Sequence, residues 1–150
     1  MKNIMFLCTG NSCRSQMAEG FCRKYWGDKY NVYSAGTKKH GMNVRAIKVM
    51  EEAGVDISTH ISKTTDELPQ LTFDFVITVC DSAKENCPYF PGGKIIHVGF
   101  QDPPALTNNM TDEEEILKVY RRVRDEIESA IKRLDEIVAT PPGLEPGAES

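Results

Sequence analysis

The sequence predicts an α/β domain built on a four-stranded parallel sheet flanked by helices on both faces. Three observations predict it. Short apolar runs alternate with amphipathic stretches along the chain, the order that builds right-handed βαβ units. One run, Phe73–Val79, is apolar at nearly every position, as in a strand covered on both faces. With 150 residues the chain has room for one core and little else.

In chain order, Lys2–Cys8 is a short apolar strand that stops at a glycine-containing loop. Gln16–Trp26 is helical, with Met17, Ala18, Phe21, Cys22 and Tyr25 on one stripe. Asn31–Ser34 is the second strand. Asn43–Ala53 is a helix that turns Val44, Ile47 and Met50 inward and stops at Gly54. Phe73–Val79 is the third strand, and Lys94–Val98 is the fourth, after a turn at Pro91–Gly93. Residues 105–111 read as an inserted loop. Thr111 and Glu114 have capping-box spacing, and Ile116, Tyr120, Val123, Ile127, Ile131, Leu134 and Val138 recur at threes and fours behind them. We expect one catalytic domain over 1–139. The last segment, 140–150, has three prolines and two glycines and is expected to be a disordered tail.

A hydrophobic content of 40% and a charged content of 27% are those of a soluble globular protein. The net charge of −4 argues against a nucleic-acid partner. The apolar start ends at Cys8, short of the roughly 7–15 residues of a signal-peptide core. No run approaches the roughly 20 residues of a membrane span, so a cytoplasmic protein without membrane contact is expected. Its five cysteines (Cys8, Cys13, Cys22, Cys80, Cys87) should then be mostly thiols. None forms a CxxC pair and no Cys/His spacing suits zinc, so no structural metal is expected.

In open parallel sheets ligands bind beyond the carboxyl ends of the strands. The loop at the end of the first strand is Cys8, Thr9, Gly10, Asn11, Ser12, Cys13, Arg14 and Ser15. Gly10 and Asn11 tolerate positive φ, so successive amides can turn inward to form an anion nest. The following helix adds the partial positive charge of its N-terminus. Arg14 can offer two donors to a tetrahedral anion, and Ser15 can donate to the Cys8 sulfur. The same positive field favours the thiolate, the reactive form of Cys8. Cys13 and Cys22 read as structural, and His40, His60 and His97 as local hydrogen-bonding residues.

These residues carry a resemblance. Cys-x5-Arg-Ser after a first strand resembles the low-molecular-weight protein tyrosine phosphatases. More closely, CTGNSCRSQMAEG from Cys8, SAG at Ser34–Gly36 and GFQDP at Gly99–Pro103 resemble the thioredoxin-coupled arsenate reductases that share that fold. The similarity runs from about Lys2 to Ile137. It implies that Cys8 attacks arsenate, with Asp102 as general acid for the departing oxygen. Cys80 then attacks Cys8 and expels arsenite, and Cys87 moves the disulfide to Cys80–Cys87 for reduction by thioredoxin. A short helix over 81–86 would separate these two cysteines in the reduced protein. Without the resemblance, Cys80 reads equally as a buried strand-end residue and Cys87 as a surface thiol.

The same resemblance implies no tightly bound cofactor, a monomer, and a loop that phosphate or sulfate can also occupy. Asn11, Glu19 and Ser34 match ligand positions of a monovalent-cation site found in some members, but Lys63 stands where the remaining acidic ligand belongs. The competing reading is a phosphotyrosine or phosphoester phosphatase using Cys8, Arg14 and Asp102. It has no use for Cys80 and Cys87, and this chain has Pro104 and Ala105 where such enzymes carry tyrosines. A non-catalytic oxyanion-binding or redox-signalling module is the reading from another class.

Overall fold

The computed structural model describes residues 1–81, 90 and 93–139. Cys87, the helix expected over 81–86, most of the turn at 91–93 and the tail at 140–150 lie outside the described residues.

Four strands, β1 (Lys2–Cys8), β2 (Tyr30–Gly36), β3 (Phe75–Thr78) and β4 (Lys94–His97), form one parallel sheet in the order β2-β1-β3-β4. This is the predicted α/β class. β1 is central because it is apolar on both faces: Ile4, Met5, Phe6 and Leu7 are each fully buried. Ile4 and Phe6 face one hydrophobic cluster, with residues of α1 (Arg14–Trp26), α2 (Val44–Glu52), α4 (Glu113–Lys132) and α5 (Leu134–Val138). Met5 and Leu7 face the other, with Ala35, Leu68, Phe73 and Val76. That second face is approached by a 3-10 turn at Thr65–Glu67, which the sequence reading missed although Thr64 and Glu67 form a capping box.

The differences from expectation have local causes. β2 is longer than read because it pairs with the whole of β1, from Lys2↔Tyr30 to Cys8↔Gly36. β3 starts late because the Asp74 carboxylate accepts from the Asn3 amide at 2.8 Å and displaces the ladder there. α1 begins at Arg14, inside the anion loop rather than after it. The buried side of α2 is Ala46, Val49 and Met50, and Val44 is 77% exposed. At 100° per residue Val44 lies about 160° from that stripe, so its predicted inward placement is wrong. Asp112, not Thr111, caps α4, accepting from the Glu114 amide at 3.1 Å. Arg133 separates α4 from α5, and beyond it Ile137 enters the core while Val138 is half-buried. The expected loop at 105–111 begins inside a one-turn helix, α3 (Pro103–Leu106), with Asp102 at its N-cap and Pro103 at the first position.

Asn43 ties these layers to the Cys8 loop. Its side chain accepts from the Ala46 amide at 3.0 Å and donates to the buried Tyr120 hydroxyl at 3.1 Å. Its own amide donates to the Ser12 carbonyl at 3.1 Å. Asn43→Ala should lower stability by about 2 kcal/mol, from a lost cap and a lost buried hydrogen bond. Urea denaturation measures this, and a loss below about 0.5 kcal/mol would contradict the linkage.

Candidate active site

The Cys8 loop is held open by what its carbonyls do. Thr9 accepts from the Lys38 amide at 3.0 Å and the Thr37 hydroxyl at 3.3 Å. Gly10 accepts from the His40 amide and the Ser62 hydroxyl, both at 3.1 Å. Ser12 accepts from Asn43. With these carbonyls drawn outward, none of the amides of Gly10 to Cys13 donates to a backbone carbonyl among the described residues. They remain available to an anion, as the nest reading requires.

Asn11 makes this backbone path possible. It has φ +47°, the one positive value outside glycine among the described residues. Its side-chain amide donates to Ser15 Oγ at 2.8 Å and Ser34 Oγ at 3.0 Å. Its side-chain carbonyl accepts from Gln16 Nε2 and the Lys63 amide, both at 2.9 Å. Gly10, expected to share the left-handed conformation, does not. A Cβ there would stand 2.5 Å from Nδ1 of the exposed His40 ring, which would have to move aside.

Cys8 Sγ and Ser15 Oγ are 2.9 Å apart. Arg14, 4% exposed, donates from Nη1 to the Phe100 carbonyl at 3.0 Å, and its Nε lies 3.5 Å from Asp102 Oδ1. The chain thus brings Cys8, Arg14 and Asp102 to one cleft of about 700 Å³, whose outer wall includes His40, Val44 and Arg45. Arg45 is bound bidentately by Glu113, at 3.0 and 2.7 Å. Neither residue was singled out from the sequence, because their pairing joins the starts of α2 and α4.

The cysteines differ. Cys8, Cys13 and Cys22 are free, whereas Cys80 is disulfide-bonded. Burial, then the charges of Asp102 and Cys8, push the Cys13 thiol well above its ordinary range. Burial likewise pushes Cys22 up to about 12, against the pull of Arg23. Both therefore stay protonated, as structural residues should. Cys80 is fully buried just past β3. The ladder continues through the Val79 amide to the Leu7 carbonyl at 2.9 Å, so Val79 stands opposite Cys8. Cys80 follows one residue later, on the face of Thr78.

Asn11, Glu19 and Ser34 also meet. Ser34 donates to Glu19 Oε1 at 2.5 Å, and Arg23 occupies Oε2 at 3.0 Å. His60 Nδ1 lies 3.9 Å from that oxygen and 2.9 Å from Gln16 Oε1. Burial holds the Lys63 ammonium below its usual range while Glu19 acts in the opposite sense. Asn11 turns its amide nitrogen, not its oxygen, towards Ser34.

Comparison with known proteins agrees with this architecture. The low molecular weight phosphotyrosine protein phosphatase family matches over residues 3–141. An arsenate reductase from Halalkalibacterium halodurans is 51% identical over 136 residues, covering 90% of this chain and 96% of that one. A solved arsenate reductase in the phosphate binding state is 31% identical, with a TM-score of 0.69 over 93% of this chain and 98% of its own. A low molecular weight protein tyrosine phosphatase from T. tengcongensis is 27% identical, with a TM-score of 0.66 over 91% and 99%.

Thiol chemistry at the site should be selective. At pH 8 a group titrating near 12 is thiolate in about one molecule in 10⁴. Iodoacetamide should therefore modify Cys8 well before Cys13 or Cys22, with phosphate slowing the reaction at Cys8 alone. Peptide mass spectrometry reads the order, and Cys22 reacting as fast as Cys8 would contradict it.

Proposed function

The chain belongs to the low molecular weight phosphotyrosine protein phosphatase family, within its arsenate reductases, and on that premise we propose that it reduces arsenate to arsenite through Cys8, Cys80 and Cys87. One observation supports this most directly: two cysteines, Cys8 and Cys80, lie at the ends of hydrogen-bonded neighbouring strands. Hydrolysis needs only the first.

The oxyanion sits on the amides of the loop, with the Arg14 fork across two of its oxygens. Cys8, sharing a hydrogen bond with Ser15, attacks arsenic. Asp102, at the mouth beside Arg14, protonates the oxygen that leaves. Water departs and a Cys8–arsenic(V) adduct remains. The Cys80 thiolate attacks Cys8 Sγ, the sulfur–arsenic bond breaks, and its electron pair stays on arsenic. Arsenite is released as two thiols become one disulfide. Val79 stands opposite Cys8, so Cys80 starts one residue out of register and on the other face, and forming the Cys8–Cys80 bond requires the backbone beyond Val79 to move.

Cys87 then attacks Cys80 and frees Cys8, and thioredoxin reduces Cys80–Cys87 in the cytoplasm, where thiols are kept reduced. Cys80 in a disulfide beside a free Cys8 is the arrangement such a relay passes through. Phosphoester hydrolysis by Cys8, Arg14 and Asp102 is the second reading, and it leaves the buried Cys80 without a role.

With arsenate, thioredoxin, its reductase and NADPH, the wild type should turn over continuously. Cys8→Ser should abolish both this reaction and any phosphatase activity. Cys80→Ser and Cys87→Ser should stop multiple turnover yet spare hydrolysis. Sustained thioredoxin-dependent turnover by Cys87→Ser would overturn the relay.

A further inference from the structure

The ends of β3 and β4 bring a histidine to the second cysteine. His97 pairs with Thr78 in the sheet register, and His97 Nδ1 lies 2.8 Å from Thr78 Oγ1. Their side chains therefore share one face. Cys80, two residues beyond Thr78 on a ladder that continues through Val79, falls on that face too. Gly99 closes the corner. A Cβ there would stand 2.9 Å from both the Cys80 carbonyl oxygen and His97 Nε2, so the ring edge and the Cys80 backbone crowd one point. Only a residue without a side chain lets them approach this way.

The relay has a proton to place. Cys80 is fully buried, and its thiol must lose a proton to become the nucleophile. In the tautomer whose Nδ1–H donates to Thr78 Oγ1, Nε2 is the basic nitrogen, on the ring edge that crowds the Cys80 backbone. The face beneath is apolar: Met5, Leu7 and Val76 come from the neighbouring strands. Asp81 follows Cys80 in the chain, whereas Lys94 on β4 lies on the opposite face from His97, its ammonium donating to the Val138 carbonyl at 2.8 Å.

We propose that His97, oriented by Thr78 and admitted by Gly99, accepts the Cys80 thiol proton during attack on Cys8; this rests on the relay reading. The balance is complete within the reaction. The Cys80 S–H proton goes to Nε2, the Cys80–Cys8 bond forms, and the Cys8–arsenic bond breaks with its pair on arsenic. The imidazolium then returns its proton to the arsenite oxyanion or to solvent. Thiols are oxidised and arsenic is reduced, with no further reactant.

The test is single-turnover arsenite release by the fully reduced protein, followed by rapid quench from pH 5.5 to 9. In the wild type the rate should fall towards the acid end of this range. His97→Gln should be about 100-fold slower at pH 7 and recover only towards the alkaline end. Thr78→Val, which keeps the ring but frees it, should show a smaller loss with the same pH dependence as the wild type. Phosphate affinity and melting temperature report whether each variant keeps its loop and fold. A folded His97→Gln protein with the wild-type rate and pH profile would overturn the proposal while leaving the relay intact. Arsenite release by Cys80→Ser at the wild-type rate would instead overturn the relay on which it rests.

Discussion

The site depends on one residue holding an uncommon backbone conformation. Asn11 is left-handed, which costs a non-glycine residue roughly 1–2 kcal/mol. Its side chain offsets that cost with four hydrogen bonds to β2, to α1 and to the strap at Lys63. These bonds fix the loop against three separate elements. The outward carbonyls of Thr9, Gly10 and Ser12 then find donors on the segments that follow β2 and precede the 3-10 turn. The result is a row of inward amides that does not have to be organised when the anion arrives, the condition for strong electrostatic stabilisation.

An acidic protein must gather its positive potential locally to hold an oxyanion. Here the gathering uses a helix terminus, oriented amides and a single buried guanidinium. Cys13 contributes by staying neutral: its thiol, pushed up by burial and by its acidic neighbours, adds no second negative charge beside the anion. Asp102 lies within reach of the same guanidinium, so the proposed proton donor and the proposed anion clamp are positioned together. Reduction adds one requirement to this hydrolase-like frame, a second thiol at the adjoining strand end. The parallel pairing of β1 with β3 supplies it.

What was legible in the sequence is what is local. The loop from Cys8 to Ser15 and the strand before it could be read because strand, loop and helix are contiguous. The sheet could be read because apolar runs alternate with helical stripes. The roles of Asp102 and Cys80 came through resemblance, because they reach the site only when β3 pairs with β1 and β4 with β3. Partners distant in sequence stayed hidden. Arg45 meets Glu113 across two helix starts. Thr78 aims His97, which alone read as an ordinary hydrogen-bonding side chain. The inward placement of Val44 failed because Asn43 starts the helix immediately before it, which rotates Val44 away from the core.

The claim that oxidation passes from arsenic to Cys80 is tested most directly by trapping its product. Reduced Cys87→Ser protein given one equivalent of arsenate, without thioredoxin, should release one arsenite per chain and stop. Non-reducing peptide mass spectrometry should then find Cys8 joined to Cys80. Stoichiometric arsenite with Cys8 and Cys80 both still free, or with Cys8 joined to Cys13, would contradict the account.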